Sequence, residues 1–266
     1  MSTGRSRTSV ARDPTAVVAE GAELDESVAI GPYVVIEPGV TVAAGTRLDA
    51  FVVLKGPTSI GRDNRIGTGA VLGGEPQDLK YGGEPTRLVI GDANRIGAYV
   101  TISRGTPGGH GVTTIGNGNV LEDGAHVGHD CQVGDGVRLG AGAALAGHVV
   151  VDDGAEIGPL AGVHQFVHVG RFARIEGHAM VGRDVPPYVV VAGNPASVAG
   201  INEEAMRRRG LDAGVVAAVE SALRLIYESG LRLEEAVARI ERELPPVDEV
   251  RELVRFVRER HRGVIR

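Results

Sequence analysis

The stretch LDAFVVLKGPTSIGRDNRIGTGAVL, from Leu48 to Leu72, has an aliphatic side chain at every sixth position. The same phase runs without exception from Val18 to Leu72 and continues from Ile90 to Ile102, and after a 13-residue jump the six-residue step restarts and runs from Ile115 to Val181. A helix repeats about every 3.6 residues and a strand about every 2, so neither selects every sixth residue alone. A hexapeptide repeat does so when each repeat forms a short strand and a corner. The pattern therefore predicts a parallel β-helix.

The glycines beside the repeating aliphatics fit the corners of such coils. Pairs such as Ile60-Gly61, Ile66-Gly67 and Ile157-Gly158 recur, and glycine tolerates backbone angles that other residues avoid. Three repeats would close one triangular coil, so that residues about 18 positions apart stack vertically. Repeats of this kind resemble the left-handed β-helix family. The competing all-β fold, an up-and-down β-sandwich, would not hold one phase for so long.

Breaks in the repeat divide the chain. Residues 73–89 and 103–114 are excursions rich in Gly between regular repeats, and long loops on a rigid scaffold often carry binding groups. The repeat ends after Val181, and from about Asn202 the apolar residues follow helical spacing. We expect a mainly β fold with a disordered N-terminal extension at 1–12, a left-handed parallel β-helix at 13–195 and a C-terminal α-helical domain at 196–266.

The composition argues against several classes of protein. A formal net charge of −6 gives no support for a nucleic-acid surface, and a single cysteine cannot form an internal disulfide. No apolar run is long enough for a transmembrane helix. The basic opening MSTGRSRTSVAR lacks the hydrophobic segment of a secretory signal. We therefore expect a cytoplasmic protein with no transmembrane segment and no nucleic-acid partner.

The stretch GAHVGHDCQVG, residues 124–134, is the first candidate for chemistry. If residues about 18 apart stack, Val127, Leu145 and Val163 form one inward column. A histidine lies one to three residues after each of these positions, and Gly147 and Gln165 would stack on His129 itself. The residues expected on this edge of the coils are His126, His129, Gly147, His148, His164 and Gln165.

Two kinds of chemistry fit this cluster. A zinc site would need three or four ligands, and His126, His129, Asp130 and Cys131 are candidates. Neighbouring side chains in a strand point to opposite faces, however, so Asp130 and Cys131 cannot both converge with His129. Cys131 is more simply a small buried filler. The favoured chemistry is general base catalysis, in which His129 takes a proton from a sugar hydroxyl and the Gly147 N–H stabilises an oxyanion.

Longer motifs resemble one family. They are QDLKYGGEPTRLVIGDANRIG (77–97), AHVGHDC (125–131), LAGH (145–148), VHQF (163–166), DVPPYVV (184–190) and RRRG (207–210). They are similar to the UDP-N-acetylglucosamine O-acyltransferases that begin lipid A synthesis, and the resemblance runs from about Asp13 to Arg266. It implies transfer of an (R)-3-hydroxyacyl group from acyl carrier protein to the 3-hydroxyl of UDP-GlcNAc, by a homotrimer without cofactor or metal.

Other functions stay open at this point. The N-acyltransferase that acts later in lipid A assembly shares the fold and a catalytic histidine, and the QDLKY–GEPT segment favours the O-acyltransferase over it and over acetyltransferases that use CoA. A zinc-dependent hydratase resembling the γ-class carbonic anhydrases is the metal alternative. A scaffolding β-helix without activity is the alternative outside enzymes.

The resemblance implies roles residue by residue. His129 matches the general base, Asp130 the carboxylate that orients its imidazole, and Gly147 the N–H donor to the oxyanion. Gln77 and Asp78 match residues that hold polar groups of the substrate, including the acyl 3-hydroxyl. Other cleft positions are matched by Lys80, His126, His148 and His164, and nucleotide-side positions by Gln165, Asn202, Glu204 and Arg208.

Three further expectations concern specificity and partners. Gly177 matches the family's acyl-length ruler, and its missing side chain would leave room for a longer chain. Ser103 stands where some members carry a histidine, so one cleft contact would be lost. Acyl carrier proteins are acidic, and the basic residues expected to dock one are Arg171, Arg174 and Arg183.

Overall fold

The computed structural model describes residues 12–259 and 262–266. The described residues fall into two compact units, a first unit that ends at Asp130 and a second unit that begins at Cys131. Most of the expected N-terminal extension, residues 1–11, lies outside the described residues. Arg12 is described and forms an isolated parallel bridge with Ile30.

The first unit consists of short parallel strands. They are β1 (Val17–Val18), β2 (Glu23–Leu24), β3 (Ala29–Ile30), β4 (Val35–Ile36), β5 (Val40–Val42), β6 (Arg47–Leu48), β7 (Val53–Leu54), β8 (Thr58–Ile60), β9 (Arg65–Ile66), β10 (Val71–Gly74), β11 (Arg87–Ile90), β12 (Arg95–Ile96), β13 (Thr101–Ser103), β14 (Val112–Ile115), β15 (Val120–Leu121) and β16 (His126–Val127). Every third strand joins the same sheet. The first face is β1-β4-β7-β10-β13-β16, the second β2-β5-β8-β11-β14 and the third β3-β6-β9-β12-β15.

The second unit continues this construction and adds helices. Its strands are β17 (Gln132–Val133), β18 (Arg138–Leu139), β19 (Ala144–Leu145), β20 (Val150–Val151), β21 (Glu156–Ile157), β22 (Gly162–Val163), β23 (His168–Val169), β24 (Arg174–Ile175), β25 (Met180–Val181), β26 (Val189–Ala192) and β27 (Ser197–Ile201). Parallel pairing again joins every third strand, as in β19-β22-β25, and β26 pairs antiparallel with β27. The predicted hexapeptide coils are confirmed.

The six-residue phase marks the interior. From Ile30 onward every aliphatic residue of the phase is buried, whereas Val18 and Leu24 are half-buried. Val18 lies in β1, the terminal strand of its sheet, which pairs only with β4 among the described strands. A neighbouring coil therefore covers the interior of the first coil on one side only. The predicted inward positions are therefore confirmed from Ile30 to Val181.

A second buried column lies two residues before the first, and the sequence pattern did not reveal it. Its members are smaller and chemically mixed, for example Val52, Asn64 and Ala70. The buried amides bond to one another, because both Asn94 N and Asn94 Nδ2 donate to Asn64 Oδ1 and Asn119 N donates to Asn94 Oδ1. Cys131 belongs to this column and is buried, which confirms its role as a small filler.

The glycines that follow the aliphatics are needed for a reason other than the predicted one. Gly61, Gly67 and Gly158 do not have the positive φ expected of corner residues. A Cβ at Gly61 would lie 2.6 Å from Gly91 O, and a Cβ at Gly158 would lie 2.5 Å from Gly177 N. Close approach of the next coil's backbone therefore excludes a side chain there.

Aromatic residues hold several of the corners where glycine was expected. Tyr33, Phe51 and Tyr99 have φ values of 57°, 61° and 57°, a conformation that costs on the order of 1–3 kcal/mol for a non-glycine residue. The rings of Tyr33 and Phe51 stack at 5.1 Å, and the Tyr99 ring lies over Gly69, where a Cβ would be 2.7 Å away. Stacking between coils offsets part of the backbone cost.

The helices follow the last strand. They are α1 (Glu203–Arg208), α2 (Ala213–Tyr227), α3 (Leu233–Glu243) and α4 (Asp248–Arg258), as the helical spacing predicted. Asn202 caps α1 by accepting a hydrogen bond from Ala205 N, and Asp212 caps α2 by accepting one from Gly214 N. Within residues 12–259 and 262–266, no helix combines the length and apolar character that crossing a bilayer requires.

Both predicted excursions are present in the first unit. β10 ends at Gly74 and β11 begins at Arg87, while β13 ends at Ser103 and β14 begins at Val112. The backbone between these strands is irregular. We call residues 75–86 the first loop and residues 104–111 the second loop.

Candidate active site

His129 and Asp130 form a hydrogen-bonded pair. His129 Nδ1 lies 2.9 Å from Asp130 Oδ2, and the exposed fractions of the two side chains are 13% and 0%. Consecutive side chains meet here because Asp130 is a corner residue with φ 58°, so the alternation of an extended strand does not apply. The Thr113 hydroxyl holds this corner by accepting a hydrogen bond from Asp130 N.

The second loop surrounds the Asp130 carboxylate with donors. Thr106 Oγ1 donates to Asp130 Oδ2 at 2.6 Å, Thr106 N lies 3.0 Å from the same oxygen, and His110 N donates to Oδ1 at 2.9 Å. Gly109 leaves the space that this requires, since a Cβ there would lie 2.5 Å from the carboxyl carbon. The sequence identified this loop as an excursion but gave no indication that its residues hold Asp130.

The hydrogen bond between His129 Nδ1 and Asp130 Oδ2 sets the tautomer of His129. A carboxylate only accepts hydrogen bonds, so the proton of the neutral imidazole lies on Nδ1. Nε2 then carries the lone pair of the neutral ring, and it is the nitrogen that can act as a base. The pair therefore has the arrangement of a general base and its orienting carboxylate.

His126 is a second histidine of the first unit, and it is half-buried. Its Nδ1 lies 2.7 Å from Thr101 Oγ1. Burial, and to a smaller extent the neighbouring His129, lowers the pKa of His126 below its ordinary value. A neutral imidazole at this position can donate or accept a hydrogen bond to a polar substrate.

The first loop carries Gln77, Asp78 and Lys80. Gln77 and Lys80 are exposed, and Asp78 is half-buried. Asp78 closes a turn, because its Oδ1 accepts from Lys80 N at 2.9 Å. Ser103 is buried and donates from Oγ to Gln77 Oε1 at 3.0 Å. The position where some family members carry a histidine thus keeps a contact to the loop, through Gln77.

The second unit holds the other expected cleft residues. Gly147 and His148 are half-buried, while His164 and Gln165 are exposed. The ring of His148 stacks on Phe166 at 4.5 Å, and Gly147 O accepts a hydrogen bond from Phe166 N at 3.2 Å. Phe166 thereby fixes both the backbone and the imidazole of this corner, and it was not among the expected residues.

Cys131 and Asp130 make hydrogen bonds in different directions. Cys131 Sγ donates to Ala146 O at 3.1 Å in the second unit. The Asp130 carboxylate, in contrast, accepts hydrogen bonds from the second loop. These two adjacent side chains thus have separate hydrogen-bond partners.

The residues expected on the nucleotide side lie near the start of α1. Asn202 is buried, and its amide is used within the protein, since Nδ2 donates to Phe172 O at 2.9 Å and Oδ1 caps α1. Glu204 and Arg208 are exposed. Arg208 is paired with Glu156, which raises the pKa of its guanidinium, and Glu204 lies 3.6 Å from Arg174.

Gly177 is exposed at a corner of the second unit. A Cβ there would lie 3.2 Å from Pro159 O, so alanine would fit only after a small shift. Of the basic residues expected to dock a carrier protein, Arg171 pairs with Asp153 at 3.0 Å and Arg174 with Glu176 at 3.1 Å, whereas Arg183 is exposed.

Comparison with known proteins shows the family to which this chain belongs. Residues 184–265 match the second domain of the UDP-N-acetylglucosamine O-acyltransferases, and residues 113–147 match the bacterial transferase hexapeptide repeat. The chain is 48% identical to the acyl-[acyl-carrier-protein]–UDP-N-acetylglucosamine O-acyltransferase of Paraburkholderia phymatum and 51% identical to that of Paraburkholderia xenovorans. Each comparison covers 95% of this chain and 98% of the relative.

Solved structures give the same result. The UDP-N-acetylglucosamine acyltransferase of Bacteroides fragilis is 37% identical, with a TM-score of 0.94 over 96% of this chain and 99% of that chain. The corresponding structure from Acinetobacter baumannii is 39% identical, with a TM-score of 0.93 over the same shares. The fold is therefore a left-handed parallel β-helix followed by helices, and the chain belongs to the family of acyl-[acyl-carrier-protein]–UDP-N-acetylglucosamine O-acyltransferases.

Proposed function

We propose that this enzyme transfers an (R)-3-hydroxyacyl group from acyl carrier protein to the 3-hydroxyl of UDP-GlcNAc. The observation that carries the proposal is the His129–Asp130 pair, in which Nδ1 is hydrogen-bonded to a buried carboxylate, so that the lone pair of the neutral ring is on Nε2. The relatives do not favour the alternatives, an N-acyltransferase or a zinc-dependent hydratase, since they are named as O-acyltransferases.

The chemistry balances without a cofactor. His129 Nε2 takes the proton of the glucosamine 3-hydroxyl while its oxygen attacks the thioester carbonyl of the donor. The tetrahedral oxyanion is stabilised by the N–H of Gly147, which carries no side chain to obstruct the approach. Collapse breaks the carbon–sulfur bond, and the proton held by His129 passes to the departing thiolate. Asp130 keeps the imidazole oriented and stabilises its protonated form.

The remaining residues bind the substrates in this proposal. Gln77, Asp78 and Lys80 hold polar groups at the donor end, and Gly177 lies at the end of the acyl groove. Arg208 releases Glu156 and binds the diphosphate, because a guanidinium fork fits phosphate oxygens. Asn202 acts by fixing the start of α1, since its own amide is buried. The other substrate-binding positions proposed are His126, His148, His164, Gln165 and Glu204.

We propose a homotrimer assembled through the first face. In the first unit this face has the exposed valines Val17 and Val35, and the exposed corner aromatics Tyr33 and Phe51 lie close by in the chain. The third face instead has exposed arginines such as Arg65 at the equivalent outward positions. An exposed apolar strip of this kind favours association with another copy of the chain. Val35→Glu should reduce the mass measured by light scattering, whereas Arg65→Glu should not.

We place the reaction in the cytoplasm. A chain with one cysteine, Cys131, needs no oxidising compartment for its folding.

The test of the proposed function is an assay of the pure protein. UDP-GlcNAc is incubated with a panel of hydroxyacyl carrier proteins, and the product mass is measured. The acyl-sugar nucleotide should form with wild-type protein and not with His129→Ala, which should keep its assembly state. His168→Gln is the matched control, because His168 also pairs with a carboxylate, Asp152, at 2.9 Å. An active His129→Ala protein would reject the proposed base.

A further inference from the structure

Arg104 is a buried arginine beside the first loop. It follows β13 directly, and it is 9% exposed. Nη1 donates to Gly73 O at 2.9 Å, and Nη2 donates to the Tyr81 hydroxyl at 2.9 Å. The guanidinium carbon lies 5.5 Å from the centroid of the Tyr81 ring. The Arg104 side chain therefore contacts both Gly73, at the end of the strand that precedes the loop, and Tyr81 within the loop.

A buried charge is costly unless it is fully hydrogen-bonded. The acidic group near Arg104 compensates little, since Glu75 Oε1 is 3.6 Å away and that side chain is 71% exposed. The guanidinium instead donates to a backbone carbonyl, that of Gly73, and to the phenol of Tyr81. A folding core of aliphatic coils gains little from such a residue, so its contacts point to a role in the loop.

The Tyr81 hydroxyl carries this connection onward. It accepts from Arg104 and donates to Glu84 O at 2.9 Å, and the Glu84 carboxylate accepts from Gly82 N at 2.8 Å. Tyr81 N donates to Asp78 O at 3.0 Å, in the turn that contains Lys80. Arg104 N itself donates to Gly74 O at 2.9 Å. Arg104 thus holds the first loop at two places, at Gly73 and Gly74 where the chain enters it and at Tyr81 within it.

We propose that Arg104 is a positioning residue that latches the first loop and so fixes Gln77, Asp78 and Lys80 for the acyl donor. The inference rests on the proposed function, because the loop is taken to bind that donor. Arg104 acts through Tyr81 and the backbone of Gly73, and does not touch the reacting atoms. Its neighbour Ser103 holds Gln77 by a separate hydrogen bond, so loss of the latch affects the loop without detaching it completely.

The contacts of the Arg104 side chain are separate from the strand pairing that holds the coils together. On the first face, Val71 pairs with Thr101 and Leu72 with Ile102, and these pairs do not involve the Arg104 side chain. Removing the guanidinium should therefore leave the melting temperature within a few degrees of wild type. The KM for the hydroxyacyl carrier protein should rise about tenfold, as expected for loss of a charge-assisted hydrogen bond. The kcat and its pH profile, which depend on His129, should not change.

The experiment compares Arg104→Met, Arg104→Lys, Tyr81→Phe and the double variant Arg104→Met with Tyr81→Phe. Lysine keeps the charge but lacks the fork, so it should restore little of the KM. Tyr81→Phe should raise the KM by itself and add little to Arg104→Met, because both break the same connection. Arg95→Ala removes an exposed arginine from the third face and serves as the control.

Limited trypsin digestion gives a readout that does not need activity. Lys80 is exposed but held in a turn, and a released loop should be cut faster after Lys80 in Arg104→Met and Tyr81→Phe than in wild type or Arg95→Ala. A KM and a cleavage rate equal to those of wild type in both Arg104→Met and Tyr81→Phe would overturn the inference. A fall in kcat accompanied by a large fall in melting temperature in these variants would also overturn it, because it would indicate a general structural role. If wild-type protein fails to acylate UDP-GlcNAc, the proposed function is rejected, and the digestion still decides whether Arg104 holds the loop.

Discussion

Gly109→Ala is the change whose effect can be worked out most closely from the structure. The added Cβ would lie 2.5 Å from Asp130 Cγ and Oδ1 and 2.7 Å from Oδ2. Ordinary contacts of a Cβ are about 1 Å longer, so the carboxylate or the loop must move by a distance of that order. The backbone of Gly109 is not at positive φ, so alanine introduces no strain of its own. The three atoms nearest to the added Cβ all belong to the Asp130 carboxylate, so the effect of the substitution should act on Asp130.

Movement of the carboxylate should lengthen the 2.9 Å bond to His129 and weaken the 2.6 Å bond from Thr106. A displacement of about 1 Å in a catalytic group can cost on the order of 100-fold in rate. We therefore expect kcat to fall between about 10-fold and 100-fold, with a much smaller change in KM for UDP-GlcNAc. The assay is the initial rate at saturating concentrations of both substrates, together with the melting temperature.

The adjacent glycine supplies a matched control. A Cβ at Gly108 would meet no atom within 4 Å, and its φ is not positive either. Gly108→Ala should therefore retain wild-type kcat. Wild-type kcat in Gly109→Ala, or an equal loss in Gly108→Ala, would refute the reasoning that the second loop positions Asp130.

Three further changes follow from the same structure. Thr106→Val removes the hydroxyl donor to Asp130 and should lower kcat about tenfold, whereas Thr106→Ser should restore it; a serine variant as slow as the valine one would exclude a role for the hydroxyl. Because burial lowers the pKa of His126 from 6.5, the folded state binds this proton less readily than the unfolded chain. Stability measured by denaturant titration should therefore fall as the pH drops below about 6.5, and His126→Gln should flatten that part of the curve. Asn202→Ala should lower the free energy of unfolding by about 1–2 kcal/mol in urea, because α1 loses its cap; an unchanged value would show that the cap contributes nothing.

The repeat was predictable because it depends on a single inward position. Each six-residue repeat must place one large aliphatic in the interior, and residues such as Leu54, Ile60 and Leu72 therefore appear in strict phase. The second column was not predictable from the pattern. It tolerates any small side chain that can satisfy its own polar groups, so Val52, Asn64 and Cys131 share no chemical class that a period could reveal.

The same distinction applies to the site. The family motif pointed to His129 and Asp130, and their hydrogen bond follows from the corner geometry at Asp130. The residues that hold them, Thr106 and Gly109, lie in an irregular loop more than 20 residues earlier in the chain. Their contact depends on how that loop folds back over the coil, and no periodicity in the sequence encodes it. For the same reason the buried position of Arg104 became evident only from the coordinates.

The central claim is that Asp130 holds the proton of His129 on Nδ1, so that Nε2 is the nitrogen that acts as base. The most direct measurement is a nitrogen–proton correlation spectrum of the imidazoles in protein labelled with nitrogen-15 at histidine, with His129→Gln used to assign the signal. At neutral pH the neutral His129 ring should carry its proton on Nδ1, and Asp130→Asn should shift it toward a mixture of tautomers. A neutral wild-type ring with its proton on Nε2 would contradict the account.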